Sequence, residues 1–158
     1  MKVLTPLIVF CLAIFSLASN ATSQYHQGID ALFTNYMLKY NDFITNGTLR
    51  QDLPLYHENV TFVDANNPPS TVSAATMDER VERFLLNLKK DGVARVAWDS
   101  VDIQPLAENL ALVRNVAIRF KPDGSVFNRV GATYMIQQSE QGWRIAAFSV
   151  HPANYVTE

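Results

Sequence analysis

Asp64, Tyr40 and His151 are the side chains of this 158-residue chain placed to move a proton. Asp64 ends a short alternating run, Asn59-Val-Thr-Phe-Val-Asp64, where a carboxylate can act as general base. Tyr40 lies on the apolar face of a long helical stretch, where a phenol can donate a hydrogen bond. His151 closes the last strand, in step with Trp143, Ile145, Ala147 and Ser149, and an imidazole there can serve as acid, base or ligand contact. Each has an ordinary reading beside the chemical one. Asp64 before Ala-Asn-Asn-Pro-Pro is a turn former, Tyr40 and its neighbour Tyr36 are core phenols with a satisfied hydroxyl, and His151 marks a strand end before Pro152. Arg114, set among Val113, Val116 and Ile118, either meets a ligand carboxylate or pairs with Asp99 or Asp102 on the neighbouring strand. Tyr36 and Trp98 are further ligand-contact candidates, with core packing as their alternative.

Other chemistries are excluded by what the chain lacks. The single cysteine, Cys11, falls in an apolar N-terminal run, so the domain beyond it has no thiol nucleophile, thiolate metal site or disulfide. His26, His57 and His151 stand far apart, and His57-Glu58 has no second histidine four residues on, as a zinc-peptidase helix requires. No metal and no other cofactor is expected. There is no Gly-rich phosphate loop and no Gly-x-Ser-x-Gly elbow. With 13 basic against 15 acidic residues and no basic run, nucleic acid and anionic membrane are poor partners.

The elements that must hold these side chains can be read in order. Lys2 precedes an apolar run to Leu17, and small residues follow at Ser19-Asn20-Ala21. This is the pattern of a cleavable signal peptide, residues 1–21, for a secreted or periplasmic protein with no stable membrane anchor after cleavage. Residues 22–158 then form a single domain. From Ser23 to Asn46, Ile29, Leu32, Phe33, Tyr36, Met37, Tyr40, Phe43 and Ile44 share one helical face, and Asn46-Gly47 stops the helix. Thr48 would cap a short segment, Leu49 to Glu58, limited by Pro54. After the Asn59–Asp64 strand, Ala65 to Thr71 reads as loop. Thr76-Met-Asp-Glu79 is a capping box opening a helix with the stripe Met77, Val81, Phe84, Leu85, Leu88, ended by Gly92. Val93 to Ile103 is a strand closed by Gln104-Pro105, and three long strands follow, Leu110–Lys121, Val126–Gln138 and Trp143–His151. Gly-containing turns between them make an antiparallel meander. Several of these strands are apolar on both faces. The second face then calls for a cover, and a homodimer is the simplest one.

A long first helix, then Leu53-Pro-Leu-Tyr-His-Glu-Asn-Val-Thr-Phe-Val-Asp64, then Gly142-Trp-Arg-Ile-Ala-Ala-Phe-Ser-Val-His151, resembles the NTF2-like (SnoaL-like) superfamily, whose ketosteroid-isomerase-like members share a cystatin-like α+β cone. The resemblance implies helices packed on one face of a curved, mostly antiparallel sheet, with an apolar pocket at the wide end. Members include steroid isomerases, polyketide cyclases, epoxide hydrolases, dehydratases and binding or assembly domains without chemistry. The isomerase branch places a tyrosine late in the first helix and a catalytic aspartate at the end of the first strand, where Tyr40 and Asp64 stand here; the resemblance implies that Asp64 takes a proton beside a carbonyl and Tyr40 hydrogen-bonds the developing enolate oxygen. It adds a protonated acid on a late strand; the matching Thr133-Tyr134-Met135 has none, and Tyr134 is the residue that could substitute. Three functions follow as expectations. The chain binds a small apolar molecule; or it is a cofactor-free isomerase, cyclase or dehydratase with Asp64 as base; or it is a dimeric assembly or docking module.

Overall fold

Apolar residues spaced by three and four wind the N-terminal part into one long helix, α1 (Val9–Asn46), whose stripe Ile29, Leu32, Phe33, Tyr36, Tyr40, Phe43 and Ile44 is buried. The computed structural model describes the backbone of residues 9–155 and the side chains of residues 25–155. The expected signal peptide, residues 1–21, thus lies outside the residues whose side chains are described. Gly47 ends α1 at φ +79°, its N–H bonded to the Phe43 carbonyl at 2.8 Å, a left-handed turn that favours glycine.

The chain continues as β1 (Tyr56–Val63), β2 (Ser70–Ser73), α2 (Ala74–Lys90), β3 (Arg95–Ala107), β4 (Leu110–Phe120), β5 (Val126–Ser139), β6 (Gly142–His151) and a short 3₁₀ turn, Ala153–Tyr155. The strands form one curved sheet of six in the order β2-β1-β6-β5-β4-β3, antiparallel throughout except for the parallel β1–β6 pair. Both helices lie on its concave face, and the core fills the space between, which is the α+β cone that the resemblance implies.

The helix α1 begins at Val9, ahead of the expected Ser23, and four later boundaries differ from expectation as well. Leu49 to Glu58 contains no helix: Pro54 denies the helical hydrogen bond, and Tyr56 to Glu58 are already paired into the sheet, Tyr56 opposite Ile145. Ser70 and Thr71, expected as loop, begin β2, which pairs with β1 and is anchored by a 2.8 Å hydrogen bond between the Thr61 and Thr71 hydroxyls. The helix α2 starts at Ala74, capped by Ser73, whose Oγ accepts from the Thr76 N–H at 3.2 Å; Thr76 sits inside the first turn instead of capping it. The strand β3 runs through Pro105 to Ala107 because it is an edge strand, where a missing N–H costs no ladder bond.

Two close contacts fix the helix on the sheet. Trp143 lies so near α1 that a Cβ on Gly28 would meet its ring at 2.6 Å. The Tyr25 hydroxyl donates to the Leu110 carbonyl at 3.1 Å and its ring packs edge-on against Trp143. On the convex side, Leu112, Val116, Ile118, Met135 and Ala147 alternate with the ion pairs Arg114–Asp102 and Arg129–Asp99.

Candidate functional site

The concave face of the sheet and the two helices enclose a cavity of about 380 Å³. Strand alternation decides which residues face it. From β4 these are Ala117 and Arg119, from β5 Val130, Ala132 and Tyr134, and from β6 Phe148 and Val150. The helix α1 contributes Tyr36, Met37 and Tyr40, and α2 contributes Met77, Arg80, Val81, Phe84 and Leu88, successive turns of their inward faces. Trp98 completes the wall from β3, its indole N–H donating to the Phe33 carbonyl at 3.0 Å.

The floor is a cluster of phenols. Tyr36 donates to the Tyr40 hydroxyl at 2.8 Å, Tyr134 adjoins Tyr36, and Tyr56 adjoins Tyr40. Tyr36, Tyr40 and Tyr134 are all buried, whereas Phe84 and Val150, 37% and 43% exposed, mark the mouth. Burial raises the pKa of all four phenols, and in Tyr40, Tyr56 and Tyr134 neighbouring phenols push it further up. They are therefore neutral hydrogen-bond donors at ordinary pH and cannot serve as bases. No aspartate, glutamate or histidine lines this cavity among the described residues. No group of three or more potential metal ligands occurs among them either.

The structure brings together Tyr36, Tyr40, Trp98 and Tyr134 of the residues singled out in the sequence. It does not bring Asp64, His151 or Arg114 to them. Asp64 follows the last residue of β1, and its carboxylate turns back onto its own loop. Its Oδ1 accepts from the Asn66 and Asn67 N–H groups at 2.7 and 2.8 Å, and the Asn67 side chain reaches both oxygens. The bond from Asn66, then those from Asn67, hold the carboxyl below its usual pKa, the opposite of a base poised near neutrality.

His151 is turned away by a bulge. In β6, Ile145 opposes Ile136 but Ala147 opposes Met135, so Ala146 is an extra residue. Trp143 and Ile145 point to the core; past the bulge Phe148 and Val150 face the cavity, and Ala147, Ser149 and His151 the convex side. There His151 lies over Gly131, where a Cβ would meet its ring at 2.6 Å. Its Nδ1 lies 3.0 Å from the Pro152 carbonyl and its Nε2 2.9 Å from Thr133 Oγ1. A carbonyl only accepts, so Nδ1 carries the proton of that contact, while the Thr133 hydroxyl can take either role toward Nε2. Arg114 is on the same convex side, its Nε donating to Asp102 Oδ2 at 3.0 Å.

Two cavity residues went unnoticed in the sequence. Arg119 and Arg80 stand in the wall near the mouth, and their signal was their position, two residues beyond Ala117 on β4 and one turn before Phe84 on α2. A buried amide was missed as well. Asn115 lies on the same β4 face as Ala117, fully buried, with neither side-chain atom hydrogen-bonded.

Residues 24–153 match the protein family described as NTF2-like protein (DUF6841). No curated protein sequence matches the chain. Among solved structures it is similar to an NTF2-like protein with a cystatin-like fold from Novosphingobium aromaticivorans, at 12% identity and TM-score 0.68, over 87% of this chain and 88% of that one. It is also similar to a protein of unknown function from Mycobacterium tuberculosis, at 14% identity and TM-score 0.61, over 84% and 74% of the two chains. An NTF2-like superfamily protein from Salmonella enterica aligns at 16% identity and TM-score 0.55, over 84% and 94%. At these identities the likeness is one of fold. The match over residues 24–153, on a six-stranded sheet closed by two helices into a cone, makes this chain a member of the NTF2-like family.

Proposed function

We propose that this protein binds a small, largely apolar molecule in the cone and does not turn it over. The observation that carries the reading is the make-up of the wall: apolar side chains around about 380 Å³, a floor of neutral phenols, and no acid or imidazole among the described lining residues. At ~30 Å³ per water the space equals roughly a dozen waters, within the range of small-molecule sites. The phenols offer hydrogen bonds to a carbonyl or hydroxyl at the buried end of a ligand. An enzyme using Asp64 as base would first have to break the hydrogen bonds within its own turn and then move the carboxylate into the cavity. An open cavity also suits a ligand better than a pure docking role. Export from the cell belongs to the proposal only through residues 1–21.

The test is binding of the neutral fluorescent probe N-phenylnaphthylamine to wild type and to Ala117→Leu, which places three more carbons in the cavity wall. Micromolar binding by wild type and at least tenfold weaker binding by the variant, with its melting temperature unchanged or raised, is the expected result. Absence of probe binding to wild type, or equal binding to both proteins, removes the reading.

A further inference from the structure

Arg119 and Arg80 are the only charged side chains among the described residues of the cavity wall. Arg80 and Phe84 lie one turn apart on α2, and the Arg119 guanidinium carbon stands 5.1 Å from the centre of the Phe84 ring. Arg119 thus lies against the exposed aromatic that marks the mouth, and Arg80 stands one turn before that aromatic in the same wall. Neither has a carboxylate within ion-pair distance among the described residues, whereas Arg50, Arg114 and Arg129 each hold an aspartate. Their own polar contacts are long: Arg80 to Ser70 Oγ at 3.4 Å, Arg119 to Asn128 Oδ1 at 3.5 Å. Burial lowers the pKa of Arg119, the mark of a guanidinium partly stripped of water. A desolvated cation without a counter-ion is costly, and an anion supplied from outside offsets that cost.

We propose that the ligand is an organic anion, its carboxylate held at the mouth between Arg80 and Arg119 and its apolar body lying along Phe84 and Phe148 toward the tyrosine floor. The inference rests on the cavity being a binding site and adds the chemical class of the occupant. A planar guanidinium suits a carboxylate because its N–H groups match the two oxygens. The floor, neutral and hydrogen-bonding, orients the far end and excludes a second charge. The competing reading is that both arginines lay their methylene stems on the wall and keep their heads in water, which gives no preference for anions.

Naphthoate and naphthamide, the same rings with and without the charge, separate the two readings when each displaces N-phenylnaphthylamine from wild type. Naphthoate binding about tenfold more tightly is expected from one charge-assisted contact, and added salt should weaken naphthoate alone. Arg119→Met and Arg80→Met should each reduce the preference while naphthamide affinity stays within about twofold, which also shows that the variants are folded. Equal affinity of the two compounds for wild type overturns the anion and leaves the apolar site standing. Failure of both compounds, and of the probe itself, to bind overturns the site with it.

Discussion

Four phenols packed together set the acid–base character of the cone. Tyr40, Tyr56 and Tyr134 are held well above 10.0 by burial first and by Tyr36 second, and Tyr36 itself is raised by burial. A phenol whose folded pKa exceeds its unfolded value favours the folded state fully at pH below the unfolded value, and that contribution is lost as pH rises through the folded one. The protein should therefore show a melting temperature indifferent to these groups through neutrality and falling once the pH passes 10.0. In Tyr40→Phe the alkaline fall should be shallower, after an initial loss of about 1 kcal/mol for the hydroxyl's hydrogen bond. Calorimetry of both proteins across that pH range checks this, and parallel alkaline falls would show that Tyr40 ionises freely. Tyr36 and Tyr40 were legible in the sequence because a helical stripe puts them inward; Tyr134 was named only through the family resemblance, and Tyr56 was missed because its segment was expected to be helical. Asp64 and His151 were not legible, because parity along a strand predicts a face only while the strand stays regular. The bulge at Ala146 reverses it before His151, and β1 ends at Val63, one residue before Asp64.

Between elements, one polar contact stands apart from the apolar packing. Lys39 of α1 is wholly buried, and its Nζ donates to both carboxylate oxygens of Asp78 on α2 at 2.9 Å, with the Leu53 carbonyl at 3.3 Å. The pair ties the two helices together beside Met77, so it helps frame the cavity. A buried ion pair of this kind contributes little net stability when intact, but losing one member leaves a charge without a partner. Lys39→Met should therefore cost about 3–5 kcal/mol in chemical denaturation, and adding Asp78→Leu should recover most of it. An additive double variant would mean the two residues act independently. The sequence pattern hid this contact: a lysine between Leu38 and Tyr40 reads as the solvent side of a helix, and its partner lies 39 residues away. The elements themselves were more legible. Long β-branched runs between glycine turns gave the meander, and Gly47 and Gly92 marked real helix ends at positive φ. The strand β2 was hidden because Asn66-Asn-Pro-Pro69 is loop chemistry and the four residues after it pair only through β1.

At the scale of the molecule, the two faces of the sheet differ in what covers them. The concave face is closed by α1 and α2. The convex face presents Met135, 42% exposed, with Leu112 and Ala147 beside it and ion pairs across it. Strands of about ten residues at ~3.4 Å each, six abreast at ~4.8 Å, give this face an area of roughly 1000 Å². That is enough to supply the ~800 Å² each partner contributes to a standard interface. A second copy related by a two-fold axis would set Met135 near its own mate, and the Arg114–Asp102 and Arg129–Asp99 pairs would supply the polar contacts around it. We propose such a homodimer, and a single substitution then counts twice. Wild type at micromolar concentration should run at twice the monomer mass in light scattering, and Met135→Glu should run as a monomer with unchanged circular dichroism. The cavity opens on the other face, so Met135→Glu should keep its affinity for N-phenylnaphthylamine. A wild type that is monomeric at those concentrations removes the dimer, and loss of probe binding in the monomeric variant would show that the cone depends on its partner.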